Sequence, residues 1–424
     1  KEIDSNITID KLKQDEDVLD TWFSSWLWPI TVFDGINKPD NEEIKYYYPT
    51  SDLVTAPEII FFWVARMIIS GYEYRGEMPF KNVYFTGIVR DKQRRKMSKS
   101  LGNSPDPIEL MKKYGADGVR AGMLFSAPAG NDLLFDEKLC EQGRNFSNKL
   151  WNAFRLIQTL EVSDEGKDQS LAIEWINSRF NEVLSEVEDH FSKYRISDAL
   201  LSLYTFIWDD FCSWYLEIIK DSTITDNTRN GTISVLEKTL KTLHPFMPFI
   251  TEELWNQIDK ERDYIMISEY PNPEKFDTKL NEDFKKLFDI VTGLRKLKSD
   301  NKIKQIDVVE VMVNKKSEFN FDKYRELIEK LSKTKDLDVV NEIPVNYPTL
   351  ISGKDTLSLA IEKSENSKEN SLKQIEYLKG FLKSVEKKLS NKKFIDNAPK
   401  NVVDIEKKKR DDAVIKLNNL RKSV

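Results

Sequence analysis

The feature that most limits the fold is a long helical pattern in the middle of the chain. Between Cys140 and Trp255, apolar residues recur three and four positions apart, as at Phe146, Leu150, Ala153, Phe154 and Ile157. This spacing puts the apolar side chains on one face of each helix, and that face must be buried against other elements. Several such helices in series predict a helical bundle.

Strand patterns occur on both sides of this bundle. Asn82–Val89 is rich in β-branched and aromatic residues and predicts a buried strand. Ile59–Ser70 has the length and the lack of turn residues that predict a buried helix. Residues 271–365 are mixed and polar, with a strand predicted at Val308–Val313. The chain is therefore expected to be α/β plus all-α.

The last part of the chain has a different pattern. A coiled-coil stripe with three- and four-residue spacing is predicted at Leu372, Ile375, Leu378, Leu382, Val385 and Leu389. Asn397–Pro399 breaks this helix, and a second helical stretch continues to about Leu420, which predicts an antiparallel hairpin. Residues 368–424 hold sixteen Lys and Arg against eight Asp and Glu, although the whole chain has a formal net charge of −6. The tail is thus the basic part of an acidic chain.

Composition excludes several classes of protein. No apolar run approaches the roughly 20 residues that span a bilayer, and no signal-peptide pattern is present, so no membrane partner and a cytoplasmic location are expected. The two cysteines, Cys140 and Cys212, are far apart, which fits a reducing compartment and predicts no metal site.

The strongest chemical signal is the string RKMSKSLGN at Arg95–Asn103. Lys96 and Lys99 lie three residues apart among serines, with Gly102 beyond. Lysine ammonium groups, serine hydroxyls and backbone N–H groups together can hold a triphosphate. A solvated basic loop is the plainer alternative for a lysine pair alone.

The complete string resembles the KMSKS motif of class I aminoacyl-tRNA synthetases. In that family the loop stabilises the pyrophosphate that leaves when an aminoacyl-adenylate forms. The resemblance implies catalytic roles for Lys96, Ser98, Lys99 and Ser100, with Lys99 the most important. The family usually has Gly-Arg before the motif, whereas Arg94 precedes Arg95 here.

Two further strings are similar to the valine-specific members of this family. They are DTWFSS at Asp20–Ser25 and TAPEIIFFWVARM at Thr55–Met67. The resemblance implies that Trp22, Ile59 and Trp63 wall a small apolar amino-acid pocket. Both tryptophans could instead be core residues.

The same resemblance implies a set of ATP contacts. Glu58 stands where the family usually has an Asp that holds the ribose, and Lys99 contacts the phosphates. Thr86, Gly87 and Val89 occupy the segment whose backbone meets adenine, although Gly87 also suits a plain strand end.

Two regions are similar to the family's RNA-binding parts. CEQGRNFSNKLWNAFR at Cys140–Arg155 resembles the anticodon-binding bundle, with Arg144, Asn148, Lys149 and Arg155 as candidate tRNA contacts and Lys149 the foremost. Arg144 and Asn148 could instead organise helix packing. Leu389–Pro399 resembles the tip of the C-terminal coiled-coil arm, for which a solvated helix pair is the alternative.

The resemblance divides the chain into five parts. The expected order is the C-terminal half of a Rossmann-like catalytic domain (1–95), a KMSKS loop and stem-contact region (96–140), a helical anticodon-binding bundle (141–270), a linker module (271–365) and a coiled-coil tRNA-binding arm (366–424). ATP and Mg²⁺ are the expected cofactors, and valine, ATP and tRNA(Val) the partners of a monomer. An isoleucine-type enzyme and a non-catalytic tRNA-binding scaffold are the alternatives.

One family motif does not occur in this sequence. The other ATP motif of the family, His-Ile-Gly-His, is missing, and neither His190 nor His244 stands in such a context. The sequence therefore reads as the C-terminal portion of an enzyme, and this segment alone is expected to be inactive.

Overall fold

The computed structural model describes residues 8–127, 132–220, 223–361, 365–391 and 400–423, with backbone only for 365–374, 400–401, 415–416 and 418–423. The chain forms two compact units. The first contains residues up to Asn148 with Glu186–Tyr204 and Leu243–Met266. The second contains Lys149–Ser185, Thr205–Thr242 and the residues from Ile267 onward.

The first unit begins with three short helices, α1 (Thr21–Trp26), α2 (Trp28–Thr31) and α3 (Glu42–Tyr47). Strand β1 (Thr50–Thr55) leads through helical turns into α4 (Ala65–Arg75) and then into β2 (Phe80–Phe85), which pairs with β1 in parallel. A helix that connects two parallel strands forms a βαβ unit. The described sheet here has these two strands only.

The helical crossover of this unit is amphipathic and not buried. One face packs Val64 and Met67 onto Phe80 of β2, while Phe61 remains 80% exposed. A helix is therefore present at Ile59–Ser70 as predicted, but it is not buried on all sides. A strand is likewise present at the start of Asn82–Val89, but its residues are exposed or half-buried, so the predicted burial is wrong for both elements. An apolar segment packs on one side when its sheet offers a single covered face.

The loop that carries the KMSKS string lies between two further short elements of the first unit. Strand β3 (Val89–Arg90) precedes it and pairs in parallel with β4 (Leu133–Leu134). Helices α5 (Pro107–Tyr114) and α6 (Ala116–Phe125) follow it.

The helical region predicted from Cys140 to Trp255 is confirmed, with one strand, β5 (Val162–Lys167), inside it. Its helices are α7 (Glu137–Gln158), α8 (Ser170–Ser192), α9 (Ile196–Thr205), the π-helix Phe206–Tyr215, α10 (Leu216–Ile219), α11 (Asp226–Leu243) and α12 (Pro248–Ile258). The apolar stripe of α7 is buried, because Phe146, Leu150 and Ile157 are each at most 3% exposed.

The second unit also contains a four-stranded sheet in the order β7-β6-β9-β8. Its strands are β6 (Val309–Asn314), β7 (Thr334–Val339), β8 (Thr349–Ser352) and β9 (Asp355–Leu359). Helices α13 (Thr278–Asp300) and α14 (Phe321–Ser332) belong to the same module. The predicted strand at Val308–Val313 is confirmed with both ends shifted by one residue.

Two helices, α15 (Glu365–Leu389) and α16 (Lys400–Ser423), pair at the end of the chain. Ile375 and Leu382 of α15 form a buried cluster with Ala413 and Leu417 of α16. Lys388 also lies 3.7 Å from Glu406, so the two helices run antiparallel. The predicted break at Asn397–Pro399 lies outside the described residues.

A search of the described helices for a membrane span finds none with the necessary length and apolarity.

Candidate active site

The Arg95–Asn103 loop folds back onto the strand before it. The Met97 N–H donates to the carbonyl of Val89 at 3.0 Å, and the Asp91 N–H donates to the carbonyl of Arg95 at 2.9 Å. The reversal occurs at Arg94, whose φ is +63°. A left-handed backbone favours glycine and strains a residue with a Cβ. The turn geometry thus gives a physical reason for the family's glycine at the position that Arg94 occupies here.

The buried carboxylate of Asp91 organises this loop. It accepts hydrogen bonds from Nε of Arg95 at 2.8 Å, from Nδ2 of Asn103 at 2.9 Å, and from the backbone N–H groups of Gln93 and Arg95. The bond from Asn103, aided by Arg95, lowers the pKa of Asp91 to about 2. A carboxylate with several donors stays ionised, so it can hold both ends of the loop together.

Asn103 connects the lysine segment to Asp91. Its Oδ1 accepts the N–H of Ser98 at 2.9 Å, and its Nδ2 also reaches the carbonyl of Lys96 at 3.3 Å. The backbone at Lys96 and at Ser98 is therefore bound to one amide side chain, which is itself bound to Asp91.

The two serines of the string act on the loop itself. Ser98 caps the 3₁₀ turn Lys99–Leu101 by accepting the Leu101 N–H at 3.3 Å, and its hydroxyl lies 3.1 Å from that of Ser100. Gly102 ends the turn with a φ of +63°. The turn leaves the side chain of Lys99 exposed. The ammonium group of Lys99 forms no ion pair within the part of the chain that the structure describes.

Lys96 reaches a residue 38 positions earlier in the chain. Its Nζ lies 3.2 Å from Oε2 of Glu58, in the 3₁₀ turn Pro57–Ile59 that follows β1. Both side chains are more than half exposed. The structure therefore brings together a predicted phosphate-binding lysine and the predicted ribose-binding carboxylate.

The predicted adenine segment lies at the ends of β1 and β2. The Thr86 N–H donates to the carbonyl of Thr55 at 2.9 Å, which joins the carboxyl ends of the two strands. Gly87 and Val89 are half-buried, and Val89 begins β3. The carboxyl edge of parallel strands is where open α/β sheets bind ligands.

The three predicted pocket residues lie on elements that pack together. Trp22 is on α1, which contacts both the π-helical turn Ile60–Val64 with Trp63 and helix α4. Trp22 and Trp63 are 45% and 38% exposed, so neither is a fully buried core residue. Ile59 is half-buried at the start of the same turn.

A charged side chain adjoins this group. The guanidinium of Arg66 lies over the ring of Trp22 and 5.5 Å from the ring centre of Phe62. Arg66 is buried, and its Nη1 has no hydrogen-bond partner in the described chain. The sequence predicted an apolar pocket at Trp22. The structure adds the charged group of Arg66 beside that ring.

Arg144 and Asn148 are four residues apart on α7 in the first unit. Arg144 pairs with Glu141 at 3.4 Å and lies over the ring of Tyr114 at 5.6 Å. A Cβ on Gly118 would stand 3.1 Å from the Arg144 backbone nitrogen, so α6 and α7 are in close contact there. Asn148 is exposed. Arg144 therefore has a packing environment, whereas Asn148 is open to solvent.

Lys149 and Arg155 are on the part of α7 that belongs to the second unit. The Nζ of Lys149 lies 5.1 Å from the ring centre of Trp208, a cation–π contact that leaves the side chain half-buried. Arg155 is exposed.

Sequence reasoning missed Asp91, Asn103 and Arg66. Asn103 is the last residue of the string Arg95–Asn103, and Asp91 lies four residues before Arg95. Both residues are therefore next to the motif in the sequence. Their roles depend on a reversal at Arg94 that no periodicity reveals. Within the described ranges, no group of three or more His, Cys, Asp or Glu side chains could hold a metal ion.

Three family models match the sequence in succession. They are tRNA synthetases class I (I, L, M and V) over residues 1–136, the anticodon-binding domain of tRNA ligase over 174–313, and the valyl tRNA synthetase tRNA binding arm over 365–424.

Curated relatives give the same picture. The chain is 50% identical over 426 residues to the valine–tRNA ligase of Christiangramia forsetii, covering 97% of this chain and 48% of that protein. It is 49% identical over 433 residues to the valine–tRNA ligase of Phocaeicola vulgatus, covering 99% and 49%. The chain thus spans about half the length of the curated relatives it matches.

Solved structures are more distant. The LeuRS–tRNA–LeuAMS complex from Agrobacterium radiobacter aligns with a TM-score of 0.49 at 18% identity, covering 63% of this chain and 34% of that one.

Proposed function

The chain belongs to the class I aminoacyl-tRNA synthetases, and we propose that it supplies the KMSKS half of the ATP site, part of the valine pocket and the tRNA-binding regions of a valine–tRNA ligase. In this reaction a carboxylate oxygen of valine attacks the α-phosphorus of ATP. The bond from that phosphorus to the bridging oxygen breaks, and pyrophosphate leaves with the electron pair. The adenylate then transfers its valyl group to the terminal ribose of tRNA(Val).

The main support for this proposal is the hydrogen bonding that fixes the loop Arg95–Asn103. Asp91 and Asn103 fix the backbone at Lys96 and Ser98, while the side chain of Lys99 stays exposed. A cationic side chain on a fixed backbone can reach the leaving pyrophosphate and stabilise the charge that grows on it. Lys99 is assigned this role, and Lys96 a second contact to the phosphates.

Glu58, Thr86, Gly87 and Val89 form the nucleoside side of the same site. All four lie at or just after the carboxyl ends of β1 and β2. A carboxylate accepts hydrogen bonds from ribose hydroxyls, and strand-end backbone groups can meet adenine. Glu58 must then exchange Lys96 for the ribose when ATP binds.

Magnesium enters as part of the substrate. No carboxylate cluster among the described residues forms a metal cage. Mg²⁺ keeps several waters and is commonly held by substrate phosphates, so ATP is proposed to carry it into the site.

Two parts of the second unit are assigned to tRNA. The paired helices α15 and α16 are proposed to form the coiled-coil arm, because their sequence is basic and their apolar residues meet in one seam. Lys149 and Arg155 offer cationic side chains on α7. Arg144 and Asn148 of the first unit are proposed as separate contacts.

This chain alone is proposed to form no valyl-adenylate. The residues that would hold the α-phosphate in line are those of the His-Ile-Gly-His motif, which this sequence lacks. Valine-dependent ATP–pyrophosphate exchange by the purified 424-residue chain, at a rate typical of such enzymes, would contradict this part of the proposal.

Lys99→Ala tests the central assignment in a protein that joins this chain to the segment with the missing motif. The rate of adenylate formation, measured by rapid quench, should fall by about 10²-fold or more because transition-state charge loses its partner. The Kd of valine should stay unchanged. Lys112→Ala, an exposed lysine on α5, is the control. An unaltered rate in Lys99→Ala would refute the role of the loop.

A further inference from the structure

A groove with a volume of about 490 Å³ lies within the second unit. Three helices form it: α8, the π-helix Phe206–Tyr215, and α13. Small-molecule sites typically have volumes of about 300–1,000 Å³, so the groove has the size of a ligand site.

Aromatic rings make the apolar part of the groove. Trp175 stacks on Phe284 with ring centres 4.6 Å apart, and Trp214 stacks on Phe288 at 4.2 Å. Trp175 and Trp214 both line the cavity. These stacks cover one face of each indole ring, and the guanidinium of Arg295 already lies over the ring of Trp214, 5.7 Å from its centre.

The polar part of the groove has an excess of negative charge. Arg179 is already paired with Asp210 at 2.9 Å and with Glu182 at 2.8 Å. The rim on α13 adds two exposed carboxylates, Glu282 and Asp289, and one exposed lysine, Lys285. Four carboxylates thus face two cations, and a groove of this sign attracts cations and repels phosphates.

A buried amide in the groove has an unmet acceptor. Nδ2 of Asn281 donates to Oε2 of Glu182 at 2.9 Å. Oδ1 of Asn281 has no hydrogen-bond partner among the described residues, although the side chain is only 9% exposed. A buried acceptor without a donor costs free energy, so this position calls for an N–H or O–H group from a ligand.

The backbone of the groove is unusual as well. Asp210 and Trp214 are on a π-helix ten residues long. π-Helical turns are rare and occur frequently at functional sites.

We propose that this groove binds a small organic cation, a guanidinium or ammonium compound that donates hydrogen bonds to Asn281 and the surrounding carboxylates. The residues that line the groove do not include the proposed tRNA contacts Lys149 and Arg155, and the charge of the groove is opposite to theirs. Binding adds the N–H donor that Asn281 lacks and places positive charge among Glu182, Asp210, Glu282 and Asp289.

Agmatine, which carries both cationic groups, is the probe for the test. The purified 424-residue chain is titrated by calorimetry, with quenching of tryptophan fluorescence as a second signal. We expect saturable binding that weakens with added salt, and none with inorganic phosphate. Absence of saturable binding of agmatine would overturn the proposal.

Charge variants on the exposed rim test the location without risk to the core. Glu282→Gln combined with Asp289→Asn should weaken binding several-fold, whereas Lys285→Gln should strengthen it. Glu253→Gln, an exposed carboxylate in the first unit, is the matched control and should leave the Kd unchanged. Equal binding by all three variants would place agmatine elsewhere and contradict the proposal.

Asn281→Leu removes the unmet acceptor and should abolish saturable binding. Asn281→Asp restores acceptors at the same position and should retain it. Melting temperatures of both variants identify any failure to fold, and the rim variants decide the question where one of them unfolds.

Discussion

The ammonium of Lys96 lies 3.2 Å from the carboxylate of Glu58 and joins the KMSKS loop to the turn after β1. The two residues were predicted to contact different parts of ATP, the phosphates and the ribose. Their pairing gives each charge a partner in this conformation of the chain. In the proposed complex with ATP, the two side chains would have to separate.

Glu58→Gln should weaken ATP binding more than it affects stability. An exposed ion pair contributes at most about 1 kcal/mol, so the free energy of unfolding should change by no more than that. The KM for ATP should rise because a neutral amide holds ribose hydroxyls less strongly than a carboxylate does. Steady-state exchange kinetics and chemical denaturation measure the two effects in the joined protein. Lys45→Gln, which breaks an exposed pair with Glu42, is the control.

A fall in stability of several kcal/mol with unchanged ATP kinetics would contradict the assignment of Glu58. That result would make the pair with Lys96 a structural contact alone.

The order of the loop should depend on pH through Asp91. Its pKa in the folded protein is about 2, below the ordinary value of 3.8, chiefly because Asn103 donates to the ionised form. The stabilisation is therefore complete above about pH 4 and is lost as the pH falls from 3.8 toward 2. Amide exchange over residues 91–103, corrected for intrinsic rates, should speed up across that window.

Asp91→Asn should show the faster exchange already at neutral pH and lose the acid transition. Asp106→Asn, at the N-cap of the following helix α5, serves as the control because its carboxylate, among the described residues, bonds to the start of that helix and not to the loop. Equal protection of the loop in Asp91→Asn and the parent chain at pH 7 would show that the carboxylate does not organise it.

The sequence offered candidate residues for this site but not the contacts that position them. Lys96, Lys99 and Glu58 could be predicted as ATP contacts because short strings fix residue type and order. The hydrogen bond from Asn103 to Asp91 could not be predicted, because it requires a left-handed turn at Arg94. A turn of that kind leaves no periodic signal.

The same limit explains the errors in the fold. The apolar string around Phe61 and Trp63 has the composition of a core helix, but composition does not say how many sides are covered. Only the Val64–Met67 side packs on the strands of the first unit. The α7 stripe was predicted correctly because a bundle buries an amphipathic face wherever its neighbours lie.

Trp63→Ala tests the proposed valine pocket. The residue is 38% exposed, so its loss should cost little stability compared with a buried tryptophan. The contacts between the Trp63 ring and valine should contribute about 1.5 kcal/mol or more to the binding free energy. Their loss should raise the KM for valine by about tenfold. Valine-dependent pyrophosphate exchange and thermal melting of the joined protein give the two readouts.

Trp28→Ala is the matched control, because Trp28 is 63% exposed on α2 and outside the proposed pocket. If Trp63→Ala left the valine kinetics unchanged and strongly lowered the melting temperature, Trp63 would have a structural role and no role in the valine pocket.

The last prediction separates the paired helices from α7 in tRNA binding. The pair α15 and α16 belongs to a segment with sixteen Lys and Arg against eight Asp and Glu, so it should contact phosphates and shape rather than bases. Removal of residues after about 364 should weaken binding of cognate and non-cognate tRNA alike. It should also flatten the salt dependence of tRNA binding, because fewer counterions are released.

Lys149→Ala should instead weaken the binding of valine tRNA more than that of a non-cognate tRNA. Affinities for both RNAs across a salt series decide between these roles, with Lys323→Ala, an exposed lysine on α14, as the control. A deletion that changes neither affinity nor salt slope would leave the basic helices as a solvated surface. An equal loss for both tRNAs in Lys149→Ala would likewise reduce that residue to a phosphate contact.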